Sequence, residues 1–245
     1  MDNLTGINQA LLDFGKEIDP RELFPVLEPG ANDLLIDSPY AFVMAVCLDR
    51  RTPAEVIWTI PYDIKIDLGH FDPFRIHQKS IYDLENLFSR IRRKPRFVND
   101  APRTVKELTD IVVFECNGEA SKIWEGKKAS EVKRTFNSIF GVGVGIANMS
   151  VLLIEKAYNI RFDDLDHKKM DIKPDVQTMK VLFRLGVLNV QSETAAIDTA
   201  RELNPDYPGE IDAPLWIIGR NWCFAYGPNC RECPMNGVCQ KADVI

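Results

Sequence analysis

A run of alternating glycines between two apolar helical segments constrains this chain more than any other feature. The glycines are Gly141, Gly143 and Gly145. Before them, Val132, Phe136 and Ile139 recur at i, i+4 and i+7, which predicts a helix with one buried face. A second apolar helix is predicted to begin near Ile146. The sequence therefore predicts two helices joined by a glycine turn.

Glycines at such a turn leave backbone amides uncovered, because glycine has no Cβ. The first N–H groups of the second helix have no partner within that helix, and the helix dipole adds partial positive charge there. A phosphate group is a suitable ligand for such a helix start. The alternative is a tight turn whose glycines serve packing alone. A Rossmann dinucleotide loop is a poorer match, because a helix precedes the glycines and Ile146 occupies the sixth position.

Length and composition indicate a soluble globular protein. At 245 residues the chain suits one large domain or two small ones. Charged residues make up 27% and hydrophobic residues 45% of the chain, which is typical of globular proteins. The formal net charge is −6, so no overall basic field attracts nucleic acid, although a local basic face remains compatible with it.

Hydropathy and cysteine usage bear on the compartment. No apolar run approaches the roughly 20 residues that span a bilayer, and no signal peptide opens the chain. We therefore expect a cytoplasmic protein. In that compartment, six cysteines favour metal binding or reactivity over structural disulfides.

Helical periodicity recurs along the whole chain, while the alternation typical of strands is rare, so the predicted fold class is all-α. Residues 61–77 contain two prolines and a glycine and are predicted to form loops and short turns. Residues 90–96 are the most basic segment and are most simply a solvated loop, with contact to a polyanion as the alternative. Predicted helices lie within 1–36, over about 39–48, 53–59, 80–91 and 104–116, around the glycines, from 174, and over 194–202.

Four of the six cysteines are clustered in sequence as C-x6-C-x2-C-x5-C. They are Cys223, Cys230, Cys233 and Cys239. Four thiolates this close together can hold either zinc or an iron–sulfur cluster. Structural zinc usually uses two C-x2-C pairs, whereas the wider gaps here favour a cubane cluster; zinc is the alternative. Cys47 and Cys116 lie on apolar helical faces and are predicted to be buried hydrophobic side chains.

Together and in this order, these motifs resemble the helix-hairpin-helix-GPD DNA glycosylases of the endonuclease III type, which carry a C-terminal [4Fe-4S] loop. The resemblance covers roughly residues 39–240, and the cysteine spacing is its most specific part. The matching segments are residues 140–143 for the hairpin, Asp175 for the catalytic aspartate, 184–186 for the Arg-Leu-Gly that ends its helix, 117–119 for Asn-Gly-Glu, and Trp216 with 219–220 before the cysteines.

The resemblance implies a two-lobed, all-helical, endonuclease III-like fold. Residues 38–148 would form a six-helix barrel domain that carries the helix-hairpin-helix at about 130–148. Residues 1–37 and 149–245 would form a helical domain that holds a [4Fe-4S] cluster on the four cysteines. The implied partner is double-stranded DNA with a damaged or modified base, bound by a monomer.

By the same resemblance, Asp175 stabilises charge on the sugar and orients or deprotonates a nucleophile. The plain alternative is a helix N-cap, a common role for aspartate. Bifunctional members place a lysine where this chain has Gly145, so the expected enzyme is a monofunctional glycosylase that uses water. Lys133 or Lys180 could in principle supply the amine for an AP lyase step, but neither lies where the motif places it, and both are predicted to be solvated charges on helix faces. The family's Thr-His pair is Val-Gln at 176–177, so the excised base stays open.

The predicted DNA contacts combine the hairpin with the end of a buried helix. Arg50 and Arg51 are candidates to fill the gap left by a flipped base or to bind a phosphate. The alternative is a solvated helix end. The predicted DNA-binding set is Gly141, Gly143, Gly145, Arg50 and Arg51. A bifunctional lyase, a non-catalytic DNA-binding iron–sulfur protein and a redox protein without a nucleic-acid partner are the competing hypotheses.

Overall fold

The computed structural model describes residues 3–241, and this part of the chain contains helices and turns with no β-strand. The predicted all-α class is confirmed. The α-helices are α1 (Asn3–Glu17), α2 (Pro29–Asp37), α3 (Pro39–Leu48), α4 (Ala54–Ile57), α5 (Ile60–Leu68), α6 (Pro73–His77), α7 (Ile81–Arg90), α8 (Ala101–Phe114), α9 (Ala129–Ser138), α10 (Val144–Tyr158), α11 (Val176–Leu185), α12 (Glu193–Leu203) and α13 (Asp212–Asn221).

The chain divides into two compact units. The first combines Met1–Leu23 with Asp166–Ile245, and the second is Phe24–Leu165. The predicted boundaries at 37/38 and 148/149 differ from the observed ones, because α2 packs on α3 and α5, while α10 packs on α9 and α3. The assignment of a six-helix barrel to one unit and of an iron–sulfur domain to the other stays a prediction.

Helix α3 is the buried centre of the Phe24–Leu165 unit. Every residue from Tyr40 to Leu48 is buried, so this helix has no polar face and must be covered on all sides. Helices α2, α5, α8 and α10 pack against it. Ser38 caps its N-terminus by accepting a hydrogen bond from the Ala41 amide at 3.2 Å, and Cys47 is fully buried as predicted.

The structure of residues 61–77 differs from the sequence-based prediction. They were predicted to form loops and short turns, but α5 and α6 occupy much of this stretch. Pro61 lies in the first turn of α5, where the missing N–H costs no hydrogen bond. Gly69 then ends the helix in a left-handed conformation with φ of 71°, which glycine adopts without strain. The proline and the glycine are thus helix boundaries.

In the other unit, α1, α11, α12 and α13 share one hydrophobic core. Ile7 and Leu11 of α1 are fully buried in it. Helices α11 and α13 approach closely at Gly219, where a Cβ would lie 2.7 Å from Gln177 Cβ. A side chain at Gly219 would therefore push α13 away from α11, the helix that begins after Asp175.

Within residues 3–241, no single helix has the length and apolar character needed to cross a membrane, although the bent pair α2 and α3 passes the same test of length and composition.

Candidate functional site

The glycine turn joins α9 to α10. Val132, Phe136 and Ile139 are buried, which confirms the predicted inward face. Gly141 has φ of 79°, a left-handed conformation that favours glycine. Helix α10 begins at Val144, with Gly143 as its N-cap, two residues before the predicted start.

The N-terminus of α10 is open to solvent. Gly143, Val144 and Gly145 are exposed, and no side chain caps the helix. A Cβ at Gly143 or Gly145 would have no heavy atom within 4 Å. The first amides of α10 thus lack an intrahelical partner, and an external anion can approach them.

Helix α8 binds the glycine turn through the backbone N–H and the backbone carbonyl of Phe140. The Phe140 N–H donates to Glu107 Oε2 at 2.6 Å, and the Phe140 carbonyl accepts from Thr104 Oγ1 at 2.9 Å. Arg103 Nε donates to Glu107 Oε1 at 2.8 Å, and its guanidinium lies 4.0 Å from the centroid of the Phe140 ring. One turn of α8 therefore fixes the residue just before Gly141.

Arg50 also contacts the turn. Its side chain is 11% exposed, and Nη2 donates to Thr104 Oγ1 at 3.0 Å. A Cβ at Gly141 would overlap the Arg50 guanidinium, so only glycine admits this contact. Burial lowers the pKa of Arg50, while Asp100 opposes that shift. The DNA contact assigned to Arg50 stays a prediction; here its guanidinium contacts protein groups.

Arg51 has a different environment from Arg50. It is exposed and has φ of 51°, a left-handed conformation uncommon for a residue with a Cβ. It lies three residues after Leu48, the last residue of the buried helix α3. Arg51 is therefore presented to solvent by a defined backbone, and its role as a DNA contact stays a prediction.

Asp175 is the N-cap of α11. Its Oδ1 accepts hydrogen bonds from the amides of Gln177 at 2.8 Å and Thr178 at 2.9 Å. In return, Thr178 Oγ1 accepts from the Asp175 amide at 2.8 Å, which completes a capping box. No described residue donates to Oδ2. The capping role is thus present, and one carboxylate oxygen is left for another task.

Lys180 lies on the same helix as Asp175. Its Nζ donates to Gln177 Oε1 at 2.7 Å and to the Gly219 carbonyl at 3.1 Å. Burial lowers the pKa of Lys180, and the neighbouring Cys223 opposes that shift. The side chain is therefore held between α11 and α13, and it is not the solvated helix-face charge that the sequence indicated.

The four clustered cysteines line one pocket together with Arg184 and Trp222. Arg184 donates to Cys223 Sγ at 3.5 Å and to the carbonyls of Phe224 at 2.6 Å and Ala225 at 3.1 Å. Cys239 Sγ donates to the Arg184 carbonyl at 3.2 Å. The C-terminal end of α11 therefore anchors both ends of the cysteine loop.

Burial raises the pKa of the Cys233 and Cys239 thiols, and the other cysteines of the loop add to the shift. Such mutual repulsion arises because the four thiols lie within electrostatic range of one another. Among residues 3–241, no group of three or more His, Cys, Asp or Glu side chains is arranged to hold a metal ion. The cluster thus stays a prediction.

Sequence reasoning missed the contacts of α8 with the turn. Thr104 and Glu107 lie 36 and 33 residues from Phe140, so no local pattern links them. Their spacing of i and i+3 on a helix was a possible signal that they share a face, but the facing partner is visible only in the fold.

No protein-family model matches this sequence, and neither does any curated protein. Solved structures do resemble it. A trapped covalent endonuclease III–DNA intermediate in an estranged-adenine complex has a TM-score of 0.53 at 16% identity, covering 96% of this chain and 92% of that one. A non-covalent endonuclease III–DNA complex has a TM-score of 0.50 at 18% identity, covering 83% and 84%.

A thermostable thymine-DNA glycosylase has a TM-score of 0.53 at 17% identity, covering 98% of this chain and 96% of that one. The chain therefore has the helical fold of endonuclease III and of this glycosylase, as the sequence predicted. At these identities, the likeness shows the fold alone.

Proposed function

We propose that this protein is a DNA glycosylase that hydrolyses the N-glycosidic bond of an altered base. The observation that carries the proposal is the exposed, uncapped start of α10 after the glycine turn, in a chain with the endonuclease III fold. Orphan amides and the helix dipole suit a DNA phosphate at this point. The contact needs no basic side chain, which is consistent with the net charge of −6.

Asp175 is the proposed catalytic carboxylate. Breaking the glycosidic bond sends the bonding electron pair to the departing base and leaves positive charge on the sugar. A carboxylate stabilises that charge and takes a proton from the attacking water. Because Oδ1 is held by two backbone amides, the orientation of Oδ2 is fixed before substrate binds. The base must first leave the helical stack to bring its sugar within reach.

The proposed chemistry stops at base removal. Gly145 occupies the position where the resemblance would place a Schiff-base lysine, and it offers no amine. Borohydride reduction in the presence of abasic DNA tests this, because it traps a covalent adduct only if an amine attacks the sugar. We expect no adduct. An adduct that disappears in Lys180→Gln would establish the alternative, a bifunctional glycosylase/AP lyase, which the half-buried Lys180 and its lowered pKa favour as a second candidate.

We also propose that Cys223, Cys230, Cys233 and Cys239 hold a [4Fe-4S] cluster. All four thiols line one pocket, and thiolates are the ligands of such clusters. When bound, the cluster would cross-link the loop to the fold. Arg184 orients the loop and supplies positive charge near Cys223. Iron and acid-labile sulfide in protein purified without oxygen would support a cluster; zinc alone would contradict it.

The direct test of the proposed function is a screen of duplex oligonucleotides, each with one defined lesion, followed by alkali cleavage. Base removal leaves an alkali-labile abasic site, so we expect strand cleavage only after alkali and only for some lesions. Duplex binding with no base released from any lesion would favour the non-catalytic DNA-binding hypothesis. Absence of salt-dependent duplex binding would favour a redox protein.

A further inference from the structure

The glycine turn before α10 does not hold its shape alone. Its backbone must place the first amides of α10 in one direction, because an anion contacts several N–H groups at once. Gly141 gives the turn its left-handed step, and glycine is also the residue with the greatest backbone freedom in the unfolded chain. Hydrogen bonds that fix the peptide groups of a residue next to the glycines therefore reduce this freedom and stabilise the shape of the turn.

Phe140 is that neighbouring residue, and both of its backbone polar groups bind α8. Its N–H donates to Glu107 Oε2 at 2.6 Å and its carbonyl accepts from Thr104 Oγ1 at 2.9 Å. Thr104 is fully buried, so water does not compete for its hydroxyl. Hydrogen bonds with a charged acceptor are stronger than neutral ones, and the bond to Glu107 is of this kind.

Glu107 and Thr104 are themselves held in position. Arg103 donates to the second oxygen of Glu107 at 2.8 Å, which leaves Oε2 facing the turn. Arg50 donates to Thr104 Oγ1 at 3.0 Å, so the hydroxyl proton is directed away from Arg50. Two carbonyls can accept it, that of Phe140 at 2.9 Å and that of Asp100 at 3.2 Å, and the Phe140 carbonyl is the nearer. The same guanidinium packs on Gly141. Two arginines thus orient the two groups that bind Phe140.

We infer that Glu107 and Thr104 are positioning residues for DNA binding: they hold the Phe140 peptide so that the amides at the start of α10 face a phosphate. The inference rests on the proposed function, since it specifies how that function's DNA-binding turn is kept in shape. Neither side chain needs to contact DNA. Their effect on affinity passes through the backbone of the turn.

The direction in which one substitution changes DNA affinity distinguishes this positioning role from a purely electrostatic effect. Glu107→Gln removes a negative charge, and charge alone would strengthen binding to anionic DNA. Loss of the charged hydrogen bond to Phe140 has the opposite effect. Glu115→Gln is the matched control, because Glu115 is exposed at the end of the same helix and gives the same change in net charge.

The test measures the Kd of each variant for a fluorescent duplex that carries one tetrahydrofuran abasic analogue, at a single salt concentration. We expect Glu107→Gln to bind about tenfold more weakly than Glu115→Gln, the change that loss of one charged hydrogen bond produces. Equal or tighter binding by Glu107→Gln, with an unchanged Tm, would overturn the inference.

Thr104 provides a second, charge-neutral arm in case Glu107→Gln fails to fold. Thr104→Val keeps the shape and removes the hydroxyl, whereas Thr104→Ser keeps the hydroxyl. We expect Val to weaken duplex binding several-fold and Ser to retain it. Equal affinity of the two variants would count against the inference.

If the unmodified protein shows no salt-dependent duplex binding, the proposed function fails. If it binds and the variants do not differ from controls, only the positioning role fails.

Discussion

Helices α10 and α11 begin in opposite ways. At α10, the N-cap residue and the first two residues of the helix are exposed, and no side chain caps the helix. At α11, the Asp175 carboxylate accepts hydrogen bonds from two of the first amides, and Thr178 completes a capping box. Both helix starts carry the same orphan N–H groups and the same dipole. One leaves them for an external anion, and the other satisfies them with its own carboxylate.

The contrast shows how one structural element supports two tasks. The open start of α10 costs little stability, because a glycine N-cap is only about a few tenths of a kcal/mol poorer than a side-chain cap, and it leaves the first amides accessible to a ligand. The capped start of α11 fixes a carboxylate in space, because the cap consumes one oxygen and leaves the second free. The first arrangement suits binding and the second suits chemistry.

The largest expected effect is on the capped helix. Asp175→Asn retains an N-cap, since asparagine caps as well as aspartate, but removes the charge. We expect the rate of base release to fall on the order of 10²–10⁴-fold with little change in Tm. Single-turnover assays on a lesion identified by the oligonucleotide screen measure this.

Asp72→Asn is the matched control, since Asp72 also caps a helix through two backbone amides. Its rate should equal that of the unmodified protein. If Asp175→Asn released base as fast as Asp72→Asn, the α11 start would be a cap and nothing more.

The next effect concerns the turn before α10. Gly141→Ala places a Cβ in a left-handed residue and against Arg50, whereas Gly69→Ala meets the same backbone strain with open space around it. We expect Gly69→Ala to lower the free energy of unfolding by about 1–2 kcal/mol. Gly141→Ala should lose about 1–3 kcal/mol more through overpacking. Denaturant titrations of both variants measure the difference. Equal decreases in the free energy of unfolding would show that the Arg50 side chain moves aside without cost.

A third effect tests the far end of α11. Arg184→Gln removes a buried guanidinium that binds two loop carbonyls and Cys223. We expect the free energy of unfolding to fall on the order of 2–3 kcal/mol, with loss of the visible absorption of a bound cluster. Arg201→Gln, which breaks only exposed ion pairs, should have a much smaller effect. Similar losses for both would mean that Arg184 does not anchor the loop.

The smallest effect has opposite signs for stability and binding. Gly145 has open space for a Cβ, so Gly145→Ala should raise the free energy of unfolding by up to about 0.5–1 kcal/mol. Its methyl group partly covers the amides of the α10 start, so duplex affinity should fall several-fold. Gly6→Ala in α1, also with open space, should gain stability alone. Unchanged affinity in Gly145→Ala would place the phosphate elsewhere.

Sequence patterns over a few residues predicted those features of the two helix starts that depend on neighbours in sequence. The spacing of Val132, Phe136 and Ile139 predicted a buried helical face, which is confirmed. The N-cap, which was the alternative role for Asp175, is present, while the catalytic role stays a prediction. Such features follow from helical periodicity and from hydrogen bonds over two or three residues, which a sequence displays directly.

Features that depend on distant contacts were not predictable in the same way. Arg50 and Arg51 look alike in sequence, yet one is mostly buried against Gly141 and the other is exposed. The binding of Phe140 by α8 joins residues more than 30 positions apart. The helix α5 was missed because Pro61 and Gly69 were interpreted as breaks when they are its ends. Tertiary packing decides each of these.

The most direct test of the open helix start is the amide resonance of its glycines during a titration with the abasic-analogue duplex. We predict that the proton and nitrogen shifts of Gly143 and Gly145 change as the duplex binds, while those of Gly6 and Gly69 do not. Saturation of the protein with duplex while Gly143 and Gly145 keep their free shifts would contradict the account.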